Sequence, residues 1–377
     1  MKVTVTAYLN VRVGKPSVNA PCYQYIAPGS VLEVDEQLYK GDLFDGIDTW
    51  LKDEADNYYW IGGVNHPVTE QEFHKLTNNK IDGKVTFDWF NNLRIEDIWN
   101  KFKEKGDKAK VVILDTGYNL SNTDISNGVS GSRIIIDESK YPGKTFIIND
   151  QSNDRHGTRC ASLIGARNSK DWIIGIAPEC ELLIGKISID KEILDFNYIM
   201  EGIRWGISQK ADIISISYAY EDLTENEVAV INSELTQLLA GKNVLIFAAA
   251  GNAGNTPKKA DFYPASFDDC ISVGSVDTTN NISSFTVLSD KTILHAIGEN
   301  IESYNENNMP TPESGTSFST PIAAAVAALA VSFLKKKNAT HSFDKDDLVK
   351  KLKNTGDPVK GSNTKKTINP LNLFNNL

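Results

Sequence analysis

Four short strings in this chain carry residue types that do chemistry together. I-L-D-T-G places Asp115 at the end of the apolar run Val111–Leu114. H-G-T-R-C opens on His156. A-A-A-G-N puts Asn252 after the run Val244–Ala249. S-G-T-S-F-S-T-P sets Ser317 ahead of an Ala-rich stretch. A serine hydroxyl is a weak nucleophile until a base takes its proton, and histidine titrates near neutral pH. A carboxylate can orient the imidazole, and an amide can face a developing negative charge. Taken singly, each string also reads as architecture. An Asp after a strand is commonly a turn residue, and a Ser before a helix is commonly a cap. The information lies in the combination.

The elements that must position these residues begin near Phe87. Val111–Leu114, Leu182–Ile187, Ile213–Ile216, Val244–Ala249 and Ile271–Val276 are continuous apolar runs, as strands buried on both faces would be. Helical stretches alternate with them at Gly157–Ala166, Leu194–Gln209 and Asn226–Leu239. That alternation predicts an α/β domain over 87–377 with a doubly wound, mainly parallel sheet. Functional groups on such a sheet gather at the carboxyl ends of its strands. The Ala-rich segment Ile322–Leu334 is too short to span a bilayer and reads as a buried helix.

The order Asp, His, Asn, Ser, each in its own Gly-flanked string, resembles the subtilisin-like serine proteases. The resemblance runs from about Trp89 to the C-terminus. It includes Gly175–Pro178 (G-I-A-P), Tyr263–Ala265 (Y-P-A) and Ile271–Asp277 (I-S-V-G-S-V-D). It implies a serine endopeptidase acting through an acyl-enzyme. Asp115, His156 and Ser317 would be its catalytic triad, and the Asn252 side chain, with the Ser317 backbone N–H, its oxyanion hole. Pro321 is expected in the first turn of the Ser317 helix, where its missing N–H costs nothing. An extended peptide would pair with Ser217, Tyr218 and Ala219. The primary pocket would be walled by that segment and by Ala249, Ala250 and Gly251, with Asp261 and Phe262 at its floor. Phe262 replaces a small residue of the family, which implies a shallow pocket. Asp261 resembles the acidic pocket residue of the kexin-like branch, which implies a basic residue before the scissile bond; a solvated loop carboxylate is the other reading.

The chain departs from the family at several positions. Arg159 replaces the second His of H-G-T-H, Ile322 replaces a His, and Ala324 replaces a Gly. No cofactor is required by the chemistry. The resemblance implies a structural calcium held by Asp124 and the loop Arg167–Trp172, although Ser169 stands where a ligand Asn is expected. Cys160, one turn past His156, reads as a small apolar packing residue.

Residues 1–66 differ from the rest. Short alternating runs and clustered aromatics predict a small all-β unit. Thr6–Ser17 (T-A-Y-L-N-V-R-V-G-K-P-S), Pro28-Gly29 and Tyr59–Gly62 (Y-W-I-G) resemble bacterial SH3-like domains, with Lys15 interrupting the Gly-Pro step. A barrel that docks on protein or cell-wall material is implied; a barrel without a ligand is the alternative. The acidic set Asp42, Asp45, Asp48, Asp53, Glu54 and Asp56 reads as a solvated face rather than a metal site. Residues 67–86 read as a linker with a short helix around Thr69–Leu76.

Composition bounds the rest. The 377 residues are 41% hydrophobic and 23% charged, which suits a globular chain and excludes collagenous, coiled-coil or disordered ones. A net charge of −10 argues against nucleic acid as partner, because phosphate contacts need basic surface. The partner expected of the site is a protein or peptide substrate. Four scattered cysteines without a C-x-x-C argue against a zinc site or a dense disulfide framework. The start of the chain shows no signal-peptide pattern, so a cytoplasmic setting is expected, with export after trimming as the alternative. A protease fold with an inert site would instead be a binding protein; the intact Asp, His, Asn and Ser favour the enzyme.

Overall fold

The computed structural model describes residues 2–5, 9–18, 20–27, 29–35, 37–44, 47–65, 80–81, 84–85, 87–167, 173–189, 195–221, 223–254, 261–338, 340 and 342–377. The chain divides into two compact units between Asn78 and Asn79.

The N-terminal unit is all β, with strands β1 (Lys2–Val5), β2 (Leu9–Val13), β3 (Cys22–Ile26), β4 (Val31–Glu33), β5 (Tyr39–Phe44), β6 (Ile47–Lys52), β7 (Asn57–Trp60) and β8 (Val64–Asn65). They form antiparallel sheets of order β4-β1-β8 and β3-β2-β7-β6-β5. Period-2 alternation sends Val3, Val5, Leu9 and Val11 inward, where they meet Val34, Leu51, Tyr59 and Ile61. Asp53 does structural work in this unit. It accepts from the Ala55 and Asn57 N–H groups and from the Tyr59 hydroxyl (2.6 Å). Burial raises its pKa, yet the Tyr59 and Asn57 bonds outweigh that and hold it below the usual carboxylate value. The expected helix around Thr69–Leu76 lies outside the described residues. Within the expected linker, β9 (Lys80–Ile81) pairs with β10 (Lys84–Val85).

The second unit alternates helices and strands as the apolar runs predict. In chain order they are α1 (Asp88–Asn92), α2 (Ile95–Phe102), β11 (Lys110–Asp115), α3 (Thr123–Ser126), β12 (Val129–Ile134), α4 (His156–Gly165), β13 (Glu181–Lys186), α5 (Phe196–Ser208), β14 (Ile213–Ile216), α6 (Glu225–Leu239), β15 (Leu245–Ala249), β16 (Cys270–Val276), β17 (Thr292–Ile297), β18 (Ile301–Tyr304), β19 (Pro310–Glu313), α7 (Thr316–Lys337), α8 (Lys345–Asn354), β20 (Asp357–Pro358), β21 (Lys366–Thr367) and α9 (Pro370–Asn375). Nine strands form one sheet of order β12-β13-β11-β14-β15-β16-β17-β21-β20, parallel except for the β20–β21 pair. On one face Val112, Leu114, Ile214 and Ile246 pack with Phe196, Ile199 and Ile203 of α5 and Leu235 and Leu239 of α6. Helix α7 packs on β14–β17. It is apolar on all sides, and 83% of its most apolar window is buried, so it is a core helix by position as well as composition.

Parallel register sets the stage for chemistry. Leu114 pairs with Ile216, and Ile216 with Ala248, so Asp115, Ser217 and Ala249 stand side by side at the carboxyl ends of β11, β14 and β15.

Candidate active site

Asp115 is the last residue of β11 and is fully buried. Its Oδ1 lies 2.8 Å from Nδ1 of His156, the first residue of α4. Three side chains and one backbone carbonyl fix the start of that helix. The first N–H groups of a helix lack intrahelical partners, and the residue before His156, Arg155, is left-handed (φ 56°) and supplies no side-chain cap. Instead His156 N donates to Ser152 Oγ (3.0 Å), Gly157 N to Thr116 Oγ1 (2.8 Å) and Thr158 N to Asp150 Oδ2 (2.9 Å), while Arg159 N reaches the Arg155 carbonyl. Gly157 is required here, since a Cβ would stand 2.2 Å from the Gly117 carbonyl oxygen. Asp150 is itself fully buried and also accepts from the Ser152 and Thr158 hydroxyls, at 2.6 and 2.7 Å. Sequence reasoning passed over Asp150 and Thr116. The D-x-S spacing ahead of His156 was the available signal, being a local capping pattern.

Burial opposes the imidazolium of His156. The Asp115 carboxylate outweighs it, and Asp154 and Asp150 add to the effect, so the pKa moves up from 6.5 toward about 9. The ring stands between Tyr218 and Phe318, with centroids 5.9 and 6.0 Å away.

Ser317 is the second residue of α7. Its hydroxyl donates to the Ser217 carbonyl (3.2 Å), and the Ser217 hydroxyl donates back to the Ser317 carbonyl (2.8 Å). This exchange corrects the expectation for Pro321. The helix begins at Thr316, so Pro321 is its sixth residue and deprives the Ser317 carbonyl of its i+4 donor. Ser217 Oγ and the Cys160 thiol (3.6 Å) supply donors instead. The Asp115 carboxylate, an imidazole nitrogen of His156 and the Cys160 thiol lie within 4.8 Å of one another. Burial pushes the thiol's pKa well above its usual value, which favours the protonated form that donates to the Ser317 carbonyl.

Asn252 follows β15. Its Oδ1 accepts from Thr316 N (2.9 Å) and Thr316 Oγ1 (2.8 Å). Those two donors fix the amide orientation, with Oδ1 toward Thr316 and Nδ2 as the donor on the other side.

The remaining expected residues stand as follows. Tyr218 and Ala219 make no backbone–backbone hydrogen bond among the described residues, while the following Tyr220 pairs with Tyr263 in both directions at 2.8 Å. Ala249, Ala250 and Phe262 are buried. Gly251 has φ +104°, and a Cβ there would lie 3.0 Å from the Phe262 ring, so the phenyl packs directly on the Gly251 backbone. Asp261 is exposed and accepts from Ser266 Oγ at 3.3 Å, as a loop carboxylate does.

Asp124 is the residue expected to hold calcium. It is 1% exposed, and its Oδ2 accepts from the Tyr304 hydroxyl, which in turn accepts from Ile173 N (3.2 Å). Calcium takes six to eight oxygens, of which Asp124 would supply a carboxylate. The loop expected to complete the site lies, beyond Arg167, outside the described residues.

Residues 106–367 match the subtilase family. The chain is 32% identical over 252 residues to an intracellular serine protease of Paenibacillus polymyxa, covering 66% of this chain and 72% of that one. It is 35% identical over 246 residues to the major intracellular serine protease of Bacillus subtilis (strain 168), covering 64% and 73%. A solved structure, that of the prenylagaramide maturation protease PagA, superposes with a TM-score of 0.61 at 23% identity, over 74% of this chain and 97% of the other, which speaks to the fold.

Proposed function

The chain belongs to the subtilase family and is a subtilisin-like serine endopeptidase, and on that premise we propose that Asp115, His156 and Ser317 carry its peptide hydrolysis with Asn252 in the oxyanion hole. The observation behind this is the buried Asp115 carboxylate bonded to His156 Nδ1, which leaves Nε2 to take a proton. The Ser317 hydroxyl turns from the Ser217 carbonyl to that nitrogen as substrate enters; such bonds are commonly unformed in a free enzyme. Oγ attacks the scissile carbonyl, its proton passes to Nε2, and the carbonyl oxygen becomes an anion facing Asn252 Nδ2 and the Ser317 N–H. Nε2 then returns the proton to the leaving amine. Water repeats the sequence to free the acyl group. Fluorophosphonate labelling tests the reading. Wild type takes the label on Ser317, and a chain that stays unlabelled while folded is not this enzyme.

The pH dependence has a definite sign. The base must be neutral, and Asp115 stabilises its charged form. Activity is therefore lost as pH falls through the raised His156 pKa. The acid limb of kcat/KM is expected above 6.5 and toward about 9. A midpoint below 6.5 would contradict this environment.

The Phe262 ring on Gly251 makes the primary pocket short, so residues with small side chains are the expected choice before the scissile bond. Phe262→Gly is expected to raise kcat/KM for peptides with Leu or Phe at that position by roughly tenfold or more. A library profile unchanged by the substitution rejects the assignment.

The N-terminal unit is proposed to be an SH3-like module that brings a protein substrate to the enzyme. Its resemblance is to a docking domain, and nothing in its sequence looks like a substrate-mimicking tail. Removal of residues 1–66 is expected to leave cleavage of a small peptide unchanged and to slow that of the natural target. A gain on the small peptide would favour an inhibitory role instead. An intracellular setting accords with the two relatives named intracellular and with the unpaired Cys160, Cys180 and Cys270.

A further inference from the structure

Arg159 stands one turn along α4 from His156 and is 4% exposed. A buried guanidinium is costly unless its N–H groups find acceptors. Nε donates to the Asp154 carbonyl at 2.7 Å, two residues before His156. Nη1 donates to Ser303 Oγ (3.1 Å), to the Thr311 carbonyl (3.2 Å) and, longer, to the Ser303 carbonyl (3.5 Å). Nη2 lies 3.7 Å from Glu313 Oε1. Ser303 and Thr311 oppose each other in the β18–β19 ladder, so the planar fork sits on one rung and grips both strands.

That hairpin leads straight to the nucleophile: Glu313 ends β19, and Ser317 follows four residues later. It is also tied to the segment after Asp115. Asn308, between its strands, accepts from Asn119 and Asn122 through Oδ1, each at 3.0 Å, and Tyr304 donates to Asp124. The hairpin thus meets the chain beyond Asp115, the helix of His156 and the approach to Ser317. Among the described residues, α4 also reaches the start of α7 through the weak bond from the Cys160 thiol to the Ser317 carbonyl, at 3.6 Å.

We propose that Arg159 is a positioning residue for catalysis. By clamping α4 to the Ser303–Thr311 rung it sets how His156 stands to Ser317. The proposal rests on the triad reading above. A base displaced by about 1 Å can cost roughly 10²-fold in rate without touching substrate binding. Lysine would keep the charge but not the fork that holds two strands.

The test compares R159M, R159K and S303A with wild type and S317A, each at a temperature where circular dichroism shows a folded chain. R159M is expected to lower kcat by about 10²-fold with KM little changed, and to slow fluorophosphonate labelling of Ser317 by the same factor. R159K should recover part of the loss. S303A should lower kcat in wild type and add little to R159K, because both act through one contact. A folded R159M with wild-type kcat and only a lower Tm would overturn the proposal, as would a raised KM with kcat held. If R159M does not fold, R159K and S303A decide on the same readouts. A wild type that neither hydrolyses peptide nor takes the label refutes the triad reading itself, a result distinct from any difference among the Arg159 variants.

Discussion

Ser317→Ala abolishes measurable peptide hydrolysis while the fold persists, and His156→Ala costs about as much. Neither residue works without the other: an uncharged hydroxyl needs the base, and the base has no other nucleophile to activate. For the corresponding residues of subtilisin the loss is about 10⁶ in kcat, and we take that scale from the relative. Stability should barely change for Ser317→Ala, since its hydroxyl makes a single 3.2 Å bond to the Ser217 carbonyl and Ser217 keeps its own bond to the Ser317 carbonyl. A His156→Ala enzyme within tenfold of wild type would remove His156 from the role of base. The decisive measurement is kcat on a chromogenic peptide, with fluorophosphonate labelling alongside.

Asn252→Ala is expected to lower kcat by roughly 10² to 10³ with little change in KM, again on the scale known for subtilisin. The sign of the split follows from geometry. Thr316 holds Oδ1, so Nδ2 waits for an oxygen that carries full charge only in the transition state. If KM rose and kcat held, Asn252 would be a substrate-binding residue. Asn252→Asp separates the donor from the size: it keeps the Thr316 contacts and loses the Nδ2 donor, so it should be about as slow as the alanine variant.

Some of this is legible in the sequence alone. Val111–Leu114 is apolar at every position because β11 lies between β13 and β14 and is covered on both faces, and a run of that kind announces itself in one dimension. Asp115 and His156 stand near Gly117 and Gly157 because those backbones approach within van der Waals contact, and Thr116 accepts from Gly157 N; both are local demands that leave a local signature. What stayed hidden was decided across the chain. The start of α7 depends on Asn252 bonding Thr316, 64 residues away, so the place of Pro321 within the helix could not be read from the helix alone. Asp124 meets its phenol 180 residues on. Arg159 looked like a lapse from a family string because its acceptors, carbonyls and a hydroxyl of a hairpin, have no sequence code. Backbone acceptors are offered by every residue type, and pattern reading is blind to them.

Pro321 carries a consequence for how this sequence can drift. Its ring withholds one N–H, and the orphaned Ser317 carbonyl is what receives Ser217 Oγ. A mutation restoring an ordinary residue at 321 would return the helix its own donor and leave the Ser217 hydroxyl competing for an occupied acceptor. A mutation at 217 to an apolar residue would strand the carbonyl with only a thiol. Each change alone is a step down, while the two together reach a second self-consistent arrangement. Positions 217 and 321 are thus expected to vary together although 104 residues apart in number, and lineages that keep the proline should keep a short hydroxyl opposite it.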